Sequence, residues 1–421
     1  MRVTTFMRRV IGIDGLKVTG VFEEDGAIVV RVRPNWLDPR CSGCGIRPPG
    51  QRQGGAKVAS PGRRWRHLDL AGIKLYLAHD VRWVHCPGCG RKAEQVPWAS
   101  DSTARFTNEF DRHVAYLAQR SDKTTVRTLM RTTWETVGRC VERVVRLLRP
   151  LDPLANLEAI GVDELSYRKH HHYVTLVTDH VKRRIVWGKE GRCAKTLSAF
   201  FEELGEGGRK QIRFVSMDLS GAYKKAVDDN VPHAEKVYDR FHVQALASEA
   251  LDEVRREEWN RLRAEYGRGS DEAKALKGLR WVLLRDGLTL DRADRGRLSE
   301  LQRDNARLYR GYLMKEKLGD ILDGRQPNVA RRELEAWCSW AVRSRLPAFA
   351  RTARTIQAHM DGIVAYVRHR LTNGLVEGLN NKARLATRQA YGFHSAEAVL
   401  AMINLRCSGL DIRPAHKRLA S

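Results

Sequence analysis

The sequence predicts a multidomain α/β protein, and three observations carry that prediction. Two Cys-x-x-Cys-Gly knuckles, "CSGCG" and "CPGCG", fall within the first hundred residues and mark a small cysteine-organised module. Residues 104–149 then switch to helical periodicity. From residue 158 strand-like and helix-like stretches alternate, and after residue 243 only helical patterning is left. A chain of 421 residues has room for about two to four domains, each with its own core.

In chain order, residues 18–33 read as a β-hairpin with its turn at Glu24-Asp25-Gly26. Residues 34–100 are rich in Pro, Gly, Arg and Cys, with short strand-like pieces such as "IKLYLAHDVRWVHC". Cys41, Cys44, Cys86 and Cys89 supply four thiolates from two matched turns. Such a set suits one tetrahedral Zn²⁺ in a closed, structural site. A redox dithiol and unligated cysteines are the other readings, and His85 or His67 is a possible substitute ligand. The segment "PGRRWRH" places Arg63, Arg64 and Arg66 around Trp65, either as DNA contacts or as a solvated basic loop. Cys140, Cys193, Cys338 and Cys407 are scattered and read as buried thiols.

Residues 107–149 read as three helices. The first spans about 107–119, the second follows a Ser121-Asp122 cap, and the third begins near Thr132-Thr133. Two short helices, a tight turn and a longer helix match helix-turn-helix, whose last helix enters the major groove. Thr133, Glu135, Thr136 and Arg139 are its exposed candidates for base contact. A plain helical bundle is the competing reading.

"LRPLDPLANLE" is a Pro-marked linker. After it come three strands ("EAIGVDELSY", "HHYVTLVTD", "RRIVWGKE"), a helix ("AKTLSAFFEEL"), a strand ("IRFVSMD"), a helix ("GAYKKAVDD") and a strand ("AEKVYD"). "KHHHYV" puts His170 and His172 on one face of a strand and His171 on the other; it reads as an exposed strand start rather than a metal site.

The charge balance names the partner class. Lys and Arg number 75 against 50 Asp and Glu, a net +25, which calls for a polyanion, double-stranded DNA first among the candidates. No apolar run is long enough to span a bilayer and no signal-peptide core follows the basic start. The expectation is a cytoplasmic protein with no membrane partner.

Three acids stand out. Asp163 sits within the first predicted strand and Asp218 ends the fourth, each after apolar residues, where a carboxylate is costly unless paired or metal-bound. Glu377 opens an amphipathic helix in "TNGLVEGLNNKAR", with Thr372 and Asn373 as its cap. On that helix Glu377, Asn381, Arg384 and Arg388 lie within about 60° of one another, and Leu375, Leu379, Ala383, Ala386 and Ala390 form the apolar side. Two strand-end aspartates and a helix-borne glutamate can hold two Mg²⁺ (or Mn²⁺) ions for in-line phosphoryl displacement. The cations below Glu377 suit phosphates.

These residues carry a resemblance. Asp163, Asp218 and Glu377 look like the DDE triad of an RNase H-like transposase, and "TNGLVEGLNNKARLATRQAYGF" resembles the carboxy-terminal motif of the ISL3 insertion-sequence transposases. "VYDRFHV" is similar to that family's block after the fourth strand, and "RRWRHLD" with the paired knuckles to its amino-terminal zinc region. The resemblance implies an RNase H-like mixed sheet interrupted by an all-α insertion. It divides the chain into a zinc module (1–100), a helix-turn-helix (101–150), a first core segment (154–243), an insertion (244–351), a second core segment with the Glu377 helix (352–395) and a tail (396–421). It also implies that Asp239 and His242 stand near the active site, as a DNA-contacting pair or as a buried couple organising the fold. Trp281, in "GLRWVLLR", is expected in a core, with stacking on a flipped base as its DNA-binding alternative. The function implied is cleavage at terminal inverted repeats and strand transfer into target DNA by at least a homodimer. A catalytically inactive, sequence-specific regulator derived from a transposase and a nuclease that cuts without joining are the rivals.

Overall fold

The computed structural model describes residues 1–49, 58–150, 152–168, 172–267, 269–371, 374–389, 393 and 395–414, with backbone alone for 374–377. Expectations for His170, His171, Thr372, Asn373 and Ala390, and for the side chains of Leu375 and Glu377, lie outside the described residues. The chain forms two compact units, one of residues Met1–Leu151 with Leu385–Ser421, the other of Asp152–Arg384.

In the first unit, α1 (Val3–Ile11) precedes the hairpin β1 (Leu16–Glu24) and β2 (Ala27–Pro34), then β3 (Val58–Arg66), β4 (Leu75–Cys86) and β5 (Gly90–Ala93). The sheet order is β1-β2-β4-β3, with β5 paired to β4. The β1–β2 turn uses Asp25 and Gly26, both at positive φ, the two-residue geometry that fits strand twist. Met7, Ile11, Val30, Val32, Leu77, Trp65 and Trp98 build the core. Three helices follow: α2 (Asn108–Arg120), α3 (Lys123–Leu129) and α4 (Trp134–Leu148). Thr107, Asp122 and Thr133 cap them, each side chain accepting backbone N–H bonds of the first turn.

The second unit is built on β6 (Ala159–Arg168), β7 (His172–Asp179) and β8 (Arg184–Glu190), then α5 (Ala194–Gln211), β9 (Phe214–Met217), α6 (Gly221–Asn230) and β10 (Glu235–Tyr238). All five predicted strands of this region are present. The sheet order is β10-β9-β6-β7-β8. β6, β7 and β8 pair antiparallel, and β9 and β10 join parallel to β6. Helices then run without a strand: α7 (Arg240–Tyr266), α8 (Asp271–Gly278), α9 (Arg280–Leu284), α10 (Arg292–Asp304), α11 (Ala306–Asp323), α12 (Pro327–Arg343), α13 (Pro347–Ala358) and α14 (Met360–His369). They share one apolar core with the sheet, from Ile160 and Phe200 to Trp337 and Phe349.

Helix α15 (Gly374–Gln389) crosses the boundary between the units. Residues 396–421 were expected as a tail, but α16 (Ala396–Cys407) is part of the first unit. Val399, Ile403 and Leu405 are buried. Arg406 donates to the carbonyls of Ala118 and Ser121 at 2.9 and 2.8 Å, closing the end of α2. Its apolar run simply needed helix partners far back in the chain.

Candidate functional site

The parallel strand register brings the two aspartates together. Gly161 of β6 pairs with Ser216 of β9, so two residues further along each strand stand Asp163 and Asp218, on adjacent strands. Tyr238 of β10 pairs with Met217, and the Asp239 N–H donates to Met217 O at 3.2 Å. Asp218 and Asp239 therefore follow the carboxyl ends of β9 and β10, where open α/β sheets carry ligand sites, and Asp163 stands beside them within the longer β6.

Each acid is fixed differently. Asp163 Oδ1 accepts the Glu164 N–H at 2.7 Å, and its Oδ2 accepts from Asn380 Nδ2 of α15. Asp218 Oδ1 accepts the Ser220 N–H at 3.0 Å, turning the chain into α6. Asp239 caps α7, taking the Phe241 N–H at 3.3 Å. His242, exposed on the first turn of α7, has Nε2 3.9 Å from Asp239 Oδ2.

The electrostatics are those of crowded anions. Burial raises the Asp163 carboxyl above its ordinary range, and the charge of Asp218 raises it further, against the Glu164 N–H, His242 and Arg384. Glu164 is also raised, by burial first and then by Asp218, with Arg192 opposing. Burial, and after it these acids, push the Tyr223 phenol upward as well. Excess negative charge in a partly desolvated pocket is relieved by cations, so the donor set fits hard divalent ions with oxygen ligands.

Three groups here were not anticipated: Glu164, Arg192 and Asn380. Glu164 had a signal, since it adjoins Asp163 in "VDEL". Asn380 had one too. It is a turn after Glu377, beside the apolar positions Ala383 and Ala386, and like them it is buried. Asn381, Arg384 and Arg388 are exposed, which leaves them open toward solvent as predicted phosphate contacts. The backbone of Glu377 lies in α15.

The four knuckle cysteines form a second cluster. The sulfurs of Cys41, Cys44, Cys86 and Cys89 all lie within 4.8 Å of one another, and Cys44 and Cys86 are 3.5 Å apart. Gly45 and Gly90, after each knuckle, take positive φ, which is why glycine follows both pairs. The backbone N–H of Cys89 draws the Cys86 thiol down to about 7. Hydrogen bonds with Cys44 and Cys86 push Cys89 up to about 12. Neither His67 nor His85 belongs to the quartet. His67 is buried against Thr107 Oγ1 at 2.8 Å, and burial drops its pKa to about 4. Cys140, Cys338 and Cys407 are buried as expected, but Cys193 is exposed because it occupies the cap position of α5.

Comparison with known proteins bears on this arrangement. A family model described as "Transposase", of the ISL3 DDE class, matches residues 160–403. The chain belongs to the ISL3 family of transposases. A second model, "Helix-turn-helix domain of transposase family ISL3", matches residues 94–145. The transposase for insertion sequence element IS1557 of Mycobacterium tuberculosis is 37% identical over 435 residues, covering 97% of this chain and 96% of that protein. The transposase for insertion sequence element IS1001 of Bordetella parapertussis is 31% identical over 337 residues, 80% and 82% of the two chains. The protein is thus a DDE-class DNA transposase, and its class uses divalent metal.

The transposase's helix-turn-helix consists of α3 and α4 braced by α2. Arg143 of α4 grips buried Asp111 of α2 through Nε and Nη2, both at 2.7 Å. Thr133 holds the Thr136 N–H as the α4 cap, and the two hydroxyls are 2.8 Å apart. Arg139, exposed, pairs with Glu135 at 2.6 Å.

Two predicted DNA contacts are overturned. Trp65 is 1% exposed, edge-on to Trp98 at 5.6 Å between ring centroids. Arg66 is buried, paired to Asp69 at 2.6 Å and lying over Tyr76 and Phe110. Strand alternation sends the two to opposite faces, and both faces are covered here, Trp65 by Trp98 and Arg66 by Asp69, Tyr76 and Phe110, where a basic run looked solvated. Arg63 folds back onto Trp65 and the Ala104 carbonyl, whereas Arg64 stays exposed beside Glu24. Trp281 errs the other way. It was expected in a core and is 67% exposed, under the guanidinium of Arg280, because Val282 and Leu283 fill the buried side of short α9. His172 is exposed at the start of β7, 3.8 Å from Glu190. Among the described residues no helix is long and apolar enough to cross a membrane.

Proposed function

We propose that Asp163, Asp218 and Glu377 are the metal-binding triad of an RNase H-like core, cutting at terminal inverted repeats and joining the freed end to target DNA. The observation that carries this reading is the register of β6 and β9, which sets Asp163 beside Asp218, with α15, the helix of Glu377, bonded to Asp163 through Asn380. The sheet order β10-β9-β6-β7-β8 with one antiparallel meander supports the RNase H-like assignment. The strandless stretch α7–α14 between β10 and α15 supports a helical insertion.

Two Mg²⁺ or Mn²⁺ ions held by these acids would supply Lewis acidity for displacement at phosphorus. The chain's own residues do the rest. Asp163, within β6, and Asp218, just past the end of β9, fix the site. Asp239 and His242 border it at the start of α7. Asn381, Arg384 and Arg388 present amide and cationic groups to the scissile strand's phosphates. A water oxygen adds to the scissile phosphorus, and the leaving 3′ oxygen takes up a proton. That 3′-hydroxyl then attacks a phosphodiester of target DNA, displacing its 3′ oxygen and losing a proton.

The cysteine quartet holds one structural Zn²⁺, and α4 reads the terminal repeats through Thr136 and Arg139, with Thr133 capping the helix. Arg64, and Trp281 as an exposed stacking surface, add contacts. At least two copies act together, since two ends must be paired.

The test is cleavage of a plasmid carrying the DNA that flanks the gene, in Mg²⁺ or Mn²⁺, with 3′ ends mapped. Wild type should cut discretely at inverted repeats. Asp163→Asn and Glu377→Gln should keep DNA binding and lose cutting by roughly 10³-fold or more, since each removes several kcal/mol of transition-state stabilisation. Undiminished metal-dependent cutting by either variant removes that acid from the triad. Binding at the repeats with no cutting by wild type in either metal favours the regulator.

A further inference from the structure

We propose that Asn380 is a positioning residue. It ties the helix that carries Glu377 to the strand that carries Asp163, and it holds the Asp163 carboxylate in one orientation for a divalent cation. The inference rests on the reading of Asp163 as a metal ligand and deepens it.

Asn380 is 1% exposed. Its Nδ2 donates to Asp163 Oδ2, while its own Oδ1 is buried with no hydrogen-bond partner among the described residues. A buried, unmatched carbonyl is costly. The neighbouring buried positions on this helix, Ala383 and Ala386, carry no polar atom. An asparagine kept purely for packing would be satisfied at both ends or replaced in the same way. The bond to Asp163 is what the amide is there for, and only the N–H side of the amide attracts a carboxylate.

The consequence for Asp163 is geometric. The Glu164 N–H holds Oδ1 at 2.7 Å and Asn380 holds Oδ2. One donor on each oxygen fixes the plane of the carboxylate and leaves a lone pair on each oxygen for a cation. Residues three apart on a helix are neighbours, so the same bond brings the turn bearing Glu377 against β6. Asn380 does not touch substrate or metal in this scheme. It acts through Asp163, as partners behind a metal ligand do.

The experiment is Mn²⁺ binding by the full, zinc-loaded chain without DNA, read from the loss of the free-ion electron paramagnetic resonance signal, alongside thermal melting. Asp163→Asn should abolish binding at the site. Asn380→Ala and the near-isosteric Asn380→Leu should each weaken Mn²⁺ binding by about 10- to 100-fold. Asn380→Leu keeps the packing while removing the donor, and it decides the matter if the alanine variant does not fold. Wild-type Mn²⁺ affinity in Asn380→Leu, with binding lost in Asp163→Asn, overturns the inference and leaves the triad intact. Undiminished binding in Asp163→Asn overturns the reading beneath it.

Discussion

Two buried acidic sites, one in each unit, treat charge in opposite ways. In the first, the buried acids Asp111 and Glu94 each have answering cations. Arg143 meets Asp111 with two bonds. Glu94 accepts from His79 at 3.0 Å and from Arg82 through Nε and Nη2. Its burial alone would raise it, yet those partners hold it below its ordinary value. In the second unit, Asp163 and Glu164 are raised by burial and by the neighbouring charge of Asp218. Matched charges serve architecture, while acids raised by one another are the ones proposed to meet a cation. The two clusters of potential metal ligands differ in the same sense. Among the described residues, the quartet is the one group of three or more ligand atoms already gathered within 4.8 Å. It is a closed site, as structural sites are.

The largest effect should follow from opening the quartet. Cys86→Ser, or chelation of zinc, removes a cross-link between the turn after β4 and the loop of Cys41 and Cys44. Binding free energy at such sites is folding free energy, of order 10 kcal/mol in small zinc domains. The first unit should lose its cooperative melting transition and DNA binding together. Retention of both in a metal-free, fully reduced sample would show that the quartet is no metal site and break the contrast.

A smaller effect tests the claim that polar groups of the first unit are set for folding alone. His67 is held neutral, its pKa near 4 against 6.5 for the free side chain. A depressed histidine pKa means the unfolded chain takes up the proton first. The stability is fully present above pH 6.5 and is lost as pH falls toward 4. Between pH 6.5 and 5 the loss should be about 2 kcal/mol. His67→Gln should melt with a shallower pH slope across that window, whatever its stability at pH 7. An unchanged slope would place the acid sensitivity elsewhere.

How much of this was legible depends on where each signal lay. The knuckles, the caps at Asp122 and Thr133, the Asp25-Gly26 turn and the five strands of the second unit are local patterns, readable from neighbours in sequence. Asp163 and Asp218 stood out as candidates because a carboxylate after apolar strand residues is expensive. The misses are tertiary. Trp65 and Arg66 lie in a basic run, on opposite faces of a strand that Trp98 covers on one side and Asp69 and Phe110 on the other. Trp281 depends on which side of a five-residue helix is covered. The burial of α16 depends on α2 and α4, and the role of Asn380 depends on a strand more than two hundred positions earlier.

The smallest expected effect sharpens the contrast most, because its sign is unusual. A carboxylate raised in the folded state costs stability at every pH well above its unfolded value of 3.8. Asp163→Asn keeps the shape and an acceptor for Asn380 while deleting the charge. At pH 7, in zinc-containing buffer free of Mg²⁺, it should therefore raise the melting transition of the second unit. Saturating Mg²⁺ should reverse the order, since a ligand that binds only the folded state stabilises wild type in proportion to its affinity and leaves the variant unmoved. The same replacement would thus stabilise the fold and silence cleavage, the exchange expected where a site is held strained for chemistry. If Asp163→Asn melts below wild type without Mg²⁺, Asp163 is a satisfied structural carboxylate like Asp111 and Glu94. The two units would then handle charge by one rule.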